Sequence, residues 1–222
     1  MIMNVKVNNF ARAGLTILLA SLAPLAWAAA DAALITALQG KVMRAGASAP
    51  LEAFVRLQTG DALALDKDTR LQITYFETGR QETWTGAGKL SIGSAESQAN
   101  EGLVPAVKQV PMVIVKQLAR TPAIDSQGRA GVIRLRAIAT PEAIAKVDAN
   151  YQQLRANADK SDLNPELYLL AGMFELRQME RVEQALTELT AARPADPEVK
   201  LLASLYRRAA RDAAATVPAA PK

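Results

Sequence analysis

Residues 57–93 read LQTGDALALDKDTRLQITYFETGRQETWTGAGKLSIG. Leu71, Ile73 and Tyr75 alternate there with Arg70, Gln72 and Thr74, the period-two pattern of a strand with one wet face. Glu77-Thr78-Gly79-Arg80 breaks the run, and Gln81 to Thr85 resumes extended character around Trp84. The stretch therefore predicts a hairpin whose loop holds Gly79 for a positive backbone φ. Leu63 with Leu65, and Leu90 with Ile92, repeat the alternation on either side. Gly60-Asp61 and Gly86-Ala87-Gly88 separate these runs as turns. The expectation is a small all-β domain over residues 31–93, sandwich- or barrel-like.

Further along, residues 94–139 change character. Ser94 to Gly102 is a polar connector. Val110 to Leu118 is apolar: Pro111 followed by Met112, Val115 and Leu118 suits a short helix, while Val113-Ile114-Val115 suits a strand. Val132 to Arg136 reads as one more strand with Ile133 and Leu135 toward a core. Arg129, Arg134 and Arg136 are candidate partner-binding residues for an acidic surface, or simply the wet face of an edge strand.

From Thr140 the period becomes helical. Thr140-Pro141-Glu142 opens a helix whose face carries Ile144, Val147, Tyr151 and Leu154. Asn164-Pro165-Glu166-Leu167 then reappears as Asp196-Pro197-Glu198-Val199, an offset of 32 residues. Each copy offers a cap residue, proline at the first helical position and an acid in the first turn. Leu167, Leu170, Ala171 and Phe174 form one apolar stripe; Val199, Leu202, Ala203 and Tyr206 form the other. A helix with Val182, Ala185, Leu186 and Leu189 lies between them. The fold class expected is α+β, with a helical region over 140–212 and a disordered Ala/Pro-rich tail over 213–222. Arg177, Glu180, Arg181 and Glu188 fall off the stripes and are candidate partner-binding residues.

Two family resemblances follow. The succession ITALQGKV, LQTGDALAL, RLQITYFETGR and GKLSIG resembles a FecR-type domain, with Gly40, Gly60, Asp61 and Gly79 as structural turn residues. That family is named for a membrane sensor that regulates a sigma factor; with no cytosolic segment before its apolar stretch, this chain is not expected to share the anti-sigma role. Helix, turn and helix at a period near 34 resembles a tetratricopeptide repeat, with Ala185, Leu189, Ala192 and Pro197 in matching positions. One full repeat and a half cannot bury a continuous core, so the helices are expected to pack on the β-domain, on a second copy in a dimer, or on a partner.

The first 30 residues carry Lys6 and Arg12, an apolar run from Leu15 to Leu25, and the small-residue stretch Ala26-Trp27-Ala28-Ala29-Ala30. This is the pattern of a secretory signal peptide. Without it the formal charge falls from +4 to +2, too little for a nucleic-acid footprint. No later run is long enough to span a bilayer. Cysteine and histidine are absent, which excludes disulfides, thiolate chemistry, histidine bases and most zinc sites.

Several motifs dissolve on inspection. Gly86-Ala87-Gly88-Lys89 lacks the further glycine and hydroxyl of a phosphate loop, having Thr83 and Leu90 there. Asp61, Asp66 and Asp68 lack calcium-loop spacing. Glu77 with Glu82, and Lys89 with Ser91, are the pairs a hydrolase would use, but turn and strand chemistry account for them. No cofactor or metal is implied. The expectation is an exported, non-enzymatic binding or scaffold protein of the bacterial cell envelope, periplasmic or secreted, with a protein or peptide partner; a cell-wall glycan-binding module and a carboxylate or Ser-Lys hydrolase are the alternatives. The leader makes a direct prediction: intact mass of the exported protein places its first residue at Ala29 or Asp31, and retention of Met1 would refute cleavage.

Overall fold

The alternating strands sort into two antiparallel sheets in the computed structural model, which describes residues 30–100, 102–122 and 139–215. The leader, Arg129, Arg134 and Arg136, the strand expected at Val132–Arg136 and the chain beyond Ala215 lie outside the described residues. The first sheet has the order β3-β1-β5-β6-β9, formed by β1 (Asp31–Gln39), β3 (Arg56–Gln58), β5 (Arg70–Tyr75), β6 (Arg80–Thr85) and β9 (Ala106–Gln109). The second has the order β2-β4-β7-β8, formed by β2 (Val42–Arg44), β4 (Ala62–Leu65), β7 (Gly88–Ile92) and β8 (Ser97–Ala99). The expected hairpin is β5–β6, with Leu71 opposite Trp84 and Ile73 opposite Glu82. Leu63 and Leu90 face each other in the second sheet. Strand β8 lies in the stretch read as connector and β9 just beyond it; their short sequences carry little hydrophobic alternation.

The sheets close on an apolar core of Ile35, Leu57, Leu65, Ile73, Trp84 and Ile92 with their neighbours. Inside it lies one charged group. Glu82 is fully buried, and its carboxylate accepts from Arg80 Nε at 2.7 Å, Trp84 Nε1 at 3.0 Å and the Ser97 backbone N–H at 3.2 Å. Such saturation is what makes a buried carboxylate tolerable. Glu77, across the hairpin loop, is exposed, so the two carboxylates sit in different environments.

Among the described residues five helices follow: α1 (Met112–Leu118), α2 (Pro141–Ala156), α3 (Asn164–Glu175), α4 (Met179–Ala192) and α5 (Pro197–Ala215). The apolar stretch after Pro111 is thus helical, with Ile114, Val115 and Leu118 inward. Ala213–Ala215 continue α5 rather than beginning a disordered tail, as three consecutive good helix formers should. Both expected stripes are buried. At Gly172 an added Cβ would lie 3.0 Å from Val147 Cγ1, so α2 and α3 pack closely there.

The helices share their core with the first sheet. Leu34 and Phe54 from the β region are buried in one cluster with Val110, Ile114, Leu118, Leu170 and Phe174. The fold is therefore α+β in three layers: sheet, sheet, helices. The face of β5 expected to be wet is largely covered in consequence, with Thr74 fully buried and Gln72 half-buried.

The β5–β6 loop is clasped by the chain after β9. Val110 donates to the Gly79 carbonyl at 2.9 Å, and a Cβ on Gly79 would sit 2.6 Å from the Val110 carbonyl oxygen. Gly79 has φ +70°, and Gly86, at φ +95°, has nothing within 4 Å of its own Cβ position. Both positions should lose about 1 kcal/mol on substitution by alanine through backbone strain alone. Gly79→Ala should cost clearly more, because backbone must move as well. Equal melting temperatures for the two variants would show that the clasp is dispensable.

Candidate functional site

A bulge in β1 begins the site. The register of β1 against β5 shifts between Ile35 and Ala37, leaving Thr36 as the extra residue. Thr36 and Ala37 both line a cleft of about 760 Å³ between the outer face of the first sheet and the helices. Bulges re-aim side chains in this way.

The cleft floor is a chain of uncharged hydrogen bonds across β1, β5 and β6. Gln81 Nε2 donates to Thr74 Oγ1 at 2.8 Å, and Thr36 Oγ1 donates to Gln72 Oε1 at 3.0 Å. Thr36 and Thr74 hydroxyls are 3.4 Å apart. A hydroxyl has one proton; Thr36 gives its own to Gln72, so Thr74 is the donor between them. The chain thus runs one way, from Gln81 to Gln72. Its free ends are the Gln81 Oε1 acceptor and the Gln72 Nε2 donors, which have no protein partner among the described residues.

The repeated motif supplies the opposite wall, where α3 and α5 both begin. Asp196 behaves as the sequence suggests: its Oδ1 accepts from the N–H groups of Glu198 at 2.9 Å and Val199 at 3.3 Å. Asn164 does not. The N–H of Asn164 is itself taken by Asp162 Oδ1 at 2.9 Å, and its Oδ1 is buried without a partner. The expectation that both copies cap alike is corrected by one carboxylate two residues upstream. Asp162 is in turn held by Lys108 Nζ at 3.0 Å, which ties β9 to the start of α3. Arg193 donates to the carbonyls of Ser161 and Lys160, joining the two helix starts.

Glu198 closes the third side. Its Oε1 accepts from the Leu38 backbone N–H at 2.7 Å, on the stretch of β1 beyond its pairing with β3. Burial pushes the Glu198 carboxyl above its ordinary value, and the Leu38 hydrogen bond opposes that shift in part.

The residues singled out from sequence lie elsewhere. Arg177, Glu180, Arg181 and Glu188 are all exposed, as expected, but none lines the cleft. Arg181 makes a two-pronged pair with Asp148 at 2.7 and 2.8 Å. Arg177, at φ +56°, closes α3: its N–H reaches the Phe174 carbonyl and that of Gln178 reaches Met173, the left-handed helix ending usually given to glycine. Gly40, Gly60 and Gly79 have positive φ, and Asp61 accepts from the Gln58 N–H at 2.9 Å. Lys89 and Ser91 are exposed on β7. Among the described residues no group of three or more Asp, Glu, His or Cys is placed to hold a metal ion, and no helix is long and apolar enough to cross a membrane. Sequence reasoning missed Thr36, Gln72, Gln81 and Glu198; the only signal was the repeat itself, which located two helix starts.

No protein-family model, curated protein or solved structure matches this chain. The family resemblances rest on the residues quoted for them.

Glu198 yields a test. A carboxyl whose value is raised by folding contributes stability that is full below about pH 4.5 and is lost as pH rises through the raised value. Glu198→Gln keeps an acceptor for Leu38 and has no charge to bury. The variant should equal or exceed the wild type in urea midpoint at pH 7, with the difference vanishing in acid. Glu198→Ala should be less stable than Glu198→Gln at every pH. A Gln variant that is less stable at pH 7 would show that the ionised carboxylate is needed.

Proposed function

We propose that this chain is an exported, non-enzymatic binding or scaffold protein of the bacterial cell envelope. Its FecR-like β-domain and TPR-like helices together form the binding structure. The observation that carries this reading is the chemistry of the cleft. Its floor is built from amides and hydroxyls, groups that hold a ligand by hydrogen bonds. The leader pattern at Lys6, Arg12 and Ala26–Ala30 supports export. The partner is an envelope protein or peptide, and the two arginine-bearing regions, Arg177 with Arg181 and Arg129 with Arg134 and Arg136, are secondary contact candidates.

Crosslinking the exported protein in intact cells, followed by mass spectrometry of captured species, tests the reading. A discrete partner enriched over an exported control protein is the expected result. Loss of that capture in Arg181→Glu with Glu188→Lys, at unchanged melting temperature, would place recognition on the exposed helical face. Retained capture in that variant leaves it to the cleft. Absence of any enriched partner, or turnover of a substrate in a broad hydrolase screen, would overturn the proposal.

A further inference from the structure

The geometry points to an extended polypeptide as the ligand of the cleft, an inference that rests on the binding-protein reading above. The free ends of the floor are one donor and one acceptor, on adjacent strands. Gln72 is opposite Thr83 and Gln81 is opposite Thr74, so Gln72 and Gln81 are diagonal neighbours on one face of β5–β6. Diagonal positions of an antiparallel pair lie roughly 7–8 Å apart. An extended chain repeats its carbonyl and N–H groups along one edge every two residues, about 6.8 Å. Gln72 Nε2 would donate to the carbonyl of one ligand residue, and Gln81 Oε1 would accept the N–H of the next but one.

Three further observations fit the same ligand. The outer edge of β9 pairs with no strand among the described residues, and Ala106, Val107 and Lys108 line the cleft. Val107 is half exposed there, and Val104, just before the strand, is 81% exposed. Arg70 lines the cleft without an ion-pair partner among the described residues, available to a ligand carboxylate. A sugar is the competing ligand, since its hydroxyls also take amides. Among the described residues no aromatic side chain lines the cleft, and the apolar face of a pyranose ring is best covered by one.

Selection of a phage-displayed library of random peptides against the full exported chain tests this. Gln72→Glu is the discriminating variant. It keeps the oxygen that Thr36 needs and replaces the Nε2 donor by an acceptor that repels a carbonyl. Thr83→Tyr, which fills the cleft from β6, serves if Gln72→Glu lowers the melting temperature. Peptides selected on the wild type should bind the folded cleft variant at least about tenfold more weakly and bind Lys67→Glu, at an exposed position outside the cleft, as they bind the wild type. Selected peptides that bind every variant equally would overturn the inference while leaving a binding protein. If no peptide is selected but an envelope partner is still captured by crosslinking, the inference fails and the broader reading stands. If a soluble peptidoglycan-derived oligosaccharide instead shifts the side-chain amide resonances of Gln72 and Gln81, the ligand is a glycan and the inference is overturned. Failure of both selection and crosslinking would remove both.

Discussion

The first sheet is covered on both of its faces, and the rest of the molecule depends on how the second cover is achieved. The helices close their core, which runs from Val147 to Ala209, onto the β region: Leu34 and Phe54 project into the cluster around Leu170 and Phe174. Phe54 reaches that position from a backbone φ of +62°, costing of order 1–3 kcal/mol for a bulky residue. Complete burial of its ring is worth about 1.5–3 kcal/mol, so the two effects nearly offset. Backbone bonds between Phe54 and Ile35, and between Ile35 and Val55, hold the unusual conformation in place.

The two faces solve the problem of buried polarity differently. Toward the second sheet, Glu82 is saturated by three donors: the Arg80 guanidinium, the Trp84 indole and the backbone N–H of Ser97 in β8. Breaking any one would leave a charge poorly paired in an apolar setting, so this network fixes the stacking of β6 on β8. Burial raises the neighbouring Tyr75 phenol well above its ordinary range, with Ser97 at 2.7 Å as its hydrogen-bond partner. Toward the helices, the Gln81-to-Gln72 chain is satisfied internally but ends in open groups. Among the described residues the inner network is complete, while the outer one ends in an open acceptor at Gln81 and open donors at Gln72.

Much of this organisation was legible from residue pattern. Leu71, Ile73 and Tyr75 announced β5, Gly79 its turn, and the Asn-Pro-Glu and Asp-Pro-Glu copies announced α3 and α5. Periodicity reports which residues face one another along an element, and says little about what covers the other face. Gln72 and Thr74 looked wet because nothing local reveals a helical layer arriving from residues 140 onward. Ser97–Ala99 and Ala106–Gln109 went unseen as strands because short edge segments draw their order from neighbours rather than from their own alternation. The cleft was illegible for a related reason. It joins Thr36 at a bulge, two glutamines on a hairpin and two helix starts, positions that no local window contains. The capping roles of Asp196 and Asn164 differ only because Asp162 precedes one of them.

The bond from Leu38 to Glu198 joins residues 160 positions apart. The far end of the first strand is therefore completed by the first turn of the last helix. Contacts of such separation carry a large loop-closure cost before they are rewarded, and chains rich in them fold slowly. During synthesis the β-rich part emerges first, yet the outer face of its sheet lacks its full cover until α5 has been made. Completion of the first sheet is thus deferred by some 160 residues, an interval in which its outer face stays open to other contacts.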